Sequence, residues 1–324
     1  MKGVQHILLI VLLAITVNSF VYFSFANTYS TSILNYQNFI SQFHSGIYQY
    51  RILSGYFLIG IYDALGNLDI DYSIFKLKFL DENSEPRMYL ALYLLNSFFT
   101  ILSAMMLYFI GNLKEVNLKN SEKILYPTLA IFVIALSQFV LVPYDCSSYF
   151  FILLFAFVIL KYIGNQNKNY LVILSLELLV STINRESSAI SIALAASLLY
   201  LRYGFSKKMI IPTFVLIAVF SSVYLGVRLF RGSFSTNDGM LLFQNFTEPK
   251  NLLGITFSCI LFSLCLSITE NHLQRKAIYL FHFLAMPYLF MCFYTGIMYE
   301  IRLYIPLFLT SLVLSRINFK YINN

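Results

Sequence analysis

The chain reads as a succession of apolar runs separated by short polar connections. Runs near the length of a bilayer-crossing helix cover residues 4–26, 88–111, 125–142, 149–164, 170–183, 189–204, 209–227, 252–269, 277–295 and 303–315. A hydrocarbon core about 30 Å thick takes roughly 20 apolar residues of helix, and only helices and closed barrels satisfy their own backbone there. The pattern predicts an all-α protein of ten spans. A further run, 52–66, is broken by Gly55, Gly60 and Asp63 and reads as a re-entrant or interfacial stretch.

Composition agrees with this reading. Of 324 residues, 59% are hydrophobic and only 11% charged, where soluble domains carry about 25% charge. That excludes a cytosolic enzyme, a nucleic-acid-binding protein and a disordered chain, and leaves the lipid bilayer as the expected surroundings. No internal repeat or low-complexity linker divides the sequence, so residues 1–324 read as a single integral-membrane domain. The cysteines (Cys146, Cys259, Cys265, Cys292) have neither CxxC nor CxxxH spacing, so they read as core residues and form no zinc or disulfide framework.

Charge orients the spans. If 52–66 does not cross, the N-terminus, the C-terminal tail and the connections near 112–124, 161–169, 202–208 and 270–276 share one side. That side holds 13 of the 22 Lys and Arg residues, against only Glu115, Glu122 and Glu270. Basic short loops mark the cytoplasmic face. Both termini are therefore expected on the cytoplasmic side of the membrane, with residues 27–87 as a long extracytoplasmic loop carrying short interfacial helices. Ser24-Phe25-Ala26 resembles a signal-peptide cleavage site, but the preceding apolar stretch exceeds the usual h-region of about 7–15 residues. An uncleaved anchor is expected.

With sides assigned, the unusual polar groups fall on the outer face. Asp145 lies in the turn 143–148. Asn184-Arg185-Glu186-Ser187-Ser188 joins two short spans, and Glu300 and Arg302 precede the last one. The helices flanking 184–188 fall short of the hydrocarbon thickness, so this turn is expected below the outer surface. There a charge is costly unless it pairs or faces a polar cavity. Bilayer thinning around an ordinary loop ion pair would produce the same pattern. Glu177 sits two turns before Asn184 on the same face, as a cavity floor or as a protonated acid bonded to a neighbouring helix. Arg51, Arg185 and Arg302 suit bidentate phosphate binding. Asp145, Glu186 and Glu300 are the carboxylates available as general base or as ligands for a divalent cation. Arg228, Arg231 and Lys250 read as solvated or headgroup-facing.

This constellation resembles the GT-C membrane glycosyltransferases and is similar to the O-antigen and capsule polymerases of the Wzy type. The residues carrying the resemblance are Tyr48-Gln49-Tyr50-Arg51-Ile52-Leu53, Asp145, Asn184-Arg185-Glu186 and Glu300-Ile301-Arg302. It implies a polyprenyl-phosphate-linked sugar donor used outside the cytoplasm in surface-polysaccharide assembly. In that reading Asp145, Glu186 and Glu300 are catalytic. Arg51, Asn184, Arg185, Arg302, Tyr50 and Tyr299 hold substrate or phosphate. GT-C enzymes usually carry an acidic residue just after the first helix, whereas positions 27–62 here contain none. The competing expectation is a transporter or flippase of lipid-linked oligosaccharide, with Glu177 carrying protons.

Overall fold

The computed structural model describes residues 2–24, 32–72, 81–165, 167–232 and 240–323. Helices α1 (Lys2–Ser24), α2 (Tyr36–Phe43), α3 (Ile52–Gly66), α4 (Pro86–Ile110), α5 (Glu122–Ser137), α6 (Asp145–Asn165), α7 (Lys168–Asn184) and α8 (Ala189–Tyr203) form the first part of the chain. They are followed by α9 (Lys207–Arg231), α10 (Leu242–Thr247), α11 (Pro249–Ser267), α12 (His272–Leu284), α13 (Met286–Thr295), α14 (Ile305–Leu314) and α15 (Phe319–Asn323). Among the described residues the β-structure is a single antiparallel bridge between Val116 and Ile317.

Each of the ten apolar runs contains helix, but they are not ten equal rods. Five helices are long and apolar enough to cross a membrane: Gly3–Ser24 within α1, then α4, α6, α9 and α11. The run 277–295 divides into α12 and α13, bent by 51°. Pro287 in the first turn of α13 explains the break, because it lacks an N–H and its ring displaces the preceding turn. The remaining runs give shorter helices of 16, 17, 15 and 10 residues, namely α5, α7, α8 and α14. Helix α14 rises only about 15 Å, and every one of its residues is buried. A helix apolar all round belongs inside a protein, and short or irregular backbone at membrane depth is tolerated only there.

Helix α6 lies centrally, against α4, α7, α8 and α14. A buried polar network ties α1, α4, α5 and α6 together. The Tyr22 hydroxyl donates to Gln138 Oε1 (3.0 Å), Asn96 Nδ2 donates to Tyr22 Oη (2.7 Å) and Gln138 Nε2 contacts Cys146 Sγ (2.9 Å). All four cysteines are free.

Where it is described, the segment 27–87 is more tightly built than a loop. Its residues 27–31 and 73–80, like the sequence-level cleavage position Phe25-Ala26, lie outside the described residues. The described part packs on α4. Glu85 accepts from the Tyr36 N–H (3.0 Å) and from the Tyr62 hydroxyl (2.6 Å), while the Tyr36 and Tyr62 rings stack at 4.3 Å. Helix α3 covers residues 52–66 as read from sequence, and packs on α4 and α7. A Cβ at Gly55 would meet the Phe43 ring at 2.2 Å, so glycine is what lets α2 lie against α3.

The two ends of the bundle carry different charge clusters. At one end Arg316 pairs with Glu122 (2.5 Å) and Glu270 (2.5 Å) and donates to Tyr126 Oη (2.9 Å). This draws together three of the segments assigned to the basic side. Asp145 opens α6 at the other end.

Candidate functional site

Four segments far apart in sequence bring their charges together at the Asp145 end. Asp145 is the first residue of α6 rather than part of a turn, as the sequence had suggested: the helix starts four residues earlier than its apolar run. A carboxylate there also meets the positive end of the helix dipole. Asn184 ends α7. Arg185 is extended (φ −164°, ψ 141°) and reverses the chain into the 3-10 turn Glu186–Ser188 before α8. Arg51 caps the 3-10 turn Gly46–Tyr50 and precedes α3. Glu300 caps the 3-10 turn Ile301–Leu303, which contains Arg302.

Asp145 bridges two arginines, pairing through Oδ1 with Arg185 Nη1 and through Oδ2 with Arg302 Nη1 (3.0 Å). Arg302 in turn grips Glu300 Oε2 with Nε (2.8 Å) and Nη2 (2.5 Å). In an irregular segment the two-residue spacing of Glu300 and Arg302 therefore makes a direct pair. Arg51 holds Glu186 in a two-pronged bond, Nε to Oε2 (3.1 Å) and Nη2 to Oε1. The Tyr48 and Tyr144 rings flank its guanidinium at 5.3 and 5.6 Å. Three cations thus meet three anions, with Arg51, Asp145, Arg185 and Glu300 buried and Glu186 and Arg302 half-buried, and the cluster is formally neutral as a whole.

A second layer fixes this arrangement. Asn184 Nδ2 donates to Ser147 Oγ (2.9 Å), and the Ser54 hydroxyl donates to Asn184 Oδ1 (2.5 Å), joining α3, α6 and α7. Tyr149 donates to the Arg302 carbonyl (3.0 Å) and Tyr288 to the Leu303 carbonyl (2.8 Å). Asn184 is therefore a positioning residue within the site. Ser54, Ser147, Tyr144, Tyr149 and Tyr288 were not legible as site residues, because hydroxyls in apolar helices look like ordinary helix-packing groups.

Arg185 Nε is buried without a hydrogen-bond partner. Arg185 lines a cavity of about 10 Å³ with Ser148, Ser181, Ser187, Ser188 and Ser191. That volume and those hydroxyls suit one water molecule. The cavity reaches Ser181 but not Glu177, so Glu177 is not its floor. Glu177 is buried in α7, and neither carboxyl oxygen has a hydrogen-bond partner among the described residues.

Two expected site residues stand apart from the cluster. The Tyr50 hydroxyl donates to the Gly232 carbonyl (2.7 Å) and its ring faces Arg228 (4.5 Å), so the side chain turns to the end of α9. Arg228, half-exposed, lies over the Tyr224 ring as well (3.6 Å). Tyr299 sets its ring edge-on to Phe139 (5.4 Å) and donates its backbone N–H to Asn251 (3.1 Å). A chain neighbour of a site residue need not share its direction, which is what separates Tyr50 from Arg51 and Tyr299 from Glu300. Among the described residues, no three His, Cys, Asp or Glu side chains converge on a metal position.

Burial alone would raise the pKa of Glu186, but the adjoining Arg51 charge and its hydrogen bonds outweigh it and hold the carboxyl at about 2. A depressed carboxyl stabilises the fold above its unfolded pKa near 4.3, and that contribution disappears as pH falls through the folded value. Stability is expected to drop between about pH 5 and pH 2 by roughly 3 kcal/mol from this pair. Thermal unfolding of the wild type and Glu186→Gln across that range checks it: the variant should lose much less.

No family model matches the chain, and neither a curated protein nor a solved structure matches it.

Proposed function

We propose that the protein is a membrane glycosyltransferase or polymerase of bacterial surface-polysaccharide assembly. Its donor is a sugar linked to polyprenyl phosphate, and it works at the extracytoplasmic face in the manner of the GT-C and Wzy families. In this reading the ten apolar helical segments are the spans, the Arg316 end is cytoplasmic and both termini are inside. The observation that carries the proposal is the meeting of Arg51, Arg185 and Arg302 with Asp145, Glu186 and Glu300 in one largely buried cluster. Charges are expensive at membrane depth and persist where they serve binding or chemistry.

The geometry divides the labour among these six. Asp145 lies between two arginines and Glu300 is clamped by Arg302, so both orient cations. Glu186 has the most exposed side chain of the three carboxylates, 27% against 5% and 10%. Held near pKa 2 by Arg51, it is a poor base at rest. A donor phosphate that takes Arg51 frees Glu186, whose proton affinity then rises toward the ordinary carboxylate range. Glu186 accepts the proton of the acceptor hydroxyl as that oxygen bonds to the anomeric carbon. The bond from this carbon to the phosphate oxygen breaks, and the departing phosphate takes the electron pair beside the guanidinium groups.

The purified protein in detergent is expected to consume a polyprenyl-linked sugar donor, and Arg185→Ala and Glu186→Gln are each expected to slow consumption by at least about 10²-fold. Variants that insert normally and still sustain full-length surface polysaccharide would sink the assignment. Glu177, buried without a partner, favours a second reading, a flippase or transporter of the lipid-linked oligosaccharide that uses this carboxyl as a proton carrier. Transport requires two compartments, so turnover in detergent separates the two.

A further inference from the structure

A further polar cavity, about 220 Å³, opens where α10 and the start of α11 meet the segment before Glu300. It is a built feature. Asn245, buried, donates through Nδ2 to the carbonyls of Phe293 (2.9 Å) and Gly296 (2.8 Å), and accepts through Oδ1 from the Met298 N–H (3.2 Å). Asn251, also buried, accepts from the Tyr299 N–H (3.1 Å). A Cβ at Gly254 would lie 1.9 Å from the Met298 carbonyl oxygen, so only glycine lets the segment seat this closely on α11. The two asparagines are consumed in fixing the backbone. The rest of the lining is Leu241, Gln244, Glu248, Lys250, Ile297 and Tyr299.

Their chemistry is specific. Gln244 Nε2 donates to Glu248 Oε1 (2.6 Å), which leaves Gln244 Oε1 and Glu248 Oε2 as acceptors in a lining that also contains the cation Lys250. An aromatic wall with adjacent acceptors and a donor matches a polyol, whose hydroxyls each give and take hydrogen bonds. A free anion would meet Glu248, and an apolar ligand would strand three polar groups. The volume lies below the ~300–1,000 Å³ of pockets that enclose drug-sized ligands, a scale that suits one sugar ring. Tyr299 directly precedes Glu300 in the chain, so the backbone that carries the cluster's Glu300 and Arg302 also carries the aromatic member of this lining.

We infer that this cavity is a monosaccharide-binding subsite, holding a pyranose ring through Gln244, Glu248 and Lys250 against Tyr299. The inference deepens the proposed transferase reading by giving the sugar its own pocket, separate from the phosphate-facing arginines. Saturation-transfer NMR on the detergent-solubilised full chain tests it, with free hexoses and N-acetylhexosamines as ligands. At least one sugar should receive saturation from the protein. Gln244→Ala and Glu248→Ala are both at exposed positions, and each should weaken its binding by tenfold or more, while Arg185→Lys leaves it intact. The absence of transfer to every sugar, or binding indifferent to both substitutions, overturns the subsite. Donor consumption is measured separately. An active enzyme without this subsite, and a sugar-binding protein without transferase activity, therefore give different results.

Discussion

Asp145→Ala is expected to destabilise the protein by about 3–5 kcal/mol, because it leaves two buried guanidinium groups facing each other without their shared anion. Arg185 and Arg302 both reach the Asp145 carboxylate, whose side chain is only 5% exposed. Removing one partner of a buried pair costs far more than the pair contributes. The double variant Asp145→Ala/Arg185→Ala should therefore recover part of the loss, which a purely steric account of the alanine would not give. The native thiols provide the measurement. Cys146, Cys265 and Cys292 are buried, so their labelling during a thermal ramp reports unfolding. Equal midpoints for Asp145→Ala and wild type would show that the bridge carries no such burden.

Glu186→Gln is expected to lower turnover by about 10²–10⁴-fold, the usual worth of a positioned general base. The amide keeps the shape of the Arg51 contact but cannot take a proton. Arg51→Lys removes the two-pronged grip while keeping the charge, and a lysine cannot reproduce the planar fork. If Glu186 is released by phosphate capture at Arg51, Arg51→Lys should raise the donor KM and shift the acid limb of the pH–rate profile upward, because Glu186 is no longer held so low. Glu186→Gln should remove that limb. A Glu186→Gln enzyme with wild-type turnover and an unchanged profile would assign the base elsewhere.

The apolar pattern was enough to locate the long helices and the bounds of the 15-residue α3, but it read α12 and α13 as one run. It was not enough to say how each helix is used. Runs 303–315 and 189–204 look like spans because a lipid-facing helix and a helix enclosed by other helices are equally apolar. Only packing separates them, and α14 is enclosed on all sides. The break at Ala285–Met286 had a visible signal in Pro287, yet proline also occurs inside α5 and α9 without ending either helix.

The six charged residues could be named from sequence because ionisable groups are rare in such a chain, and rarity needs no coordinates. Their pairing could not. Asp145 with Arg185 and Arg302, and Arg51 with Glu186, join residues 40, 157 and 135 positions apart. Those distances are set by the packing of α3, α6, α7 and the segment before α14. The neutrality of the cluster, the departure of Tyr50 toward Arg228 and the cavity beside Tyr299 belong to the same class. Hydropathy is a one-dimensional property of side chains and survives in the sequence, whereas the direction of a side chain and the identity of its partner exist only after the helices have packed.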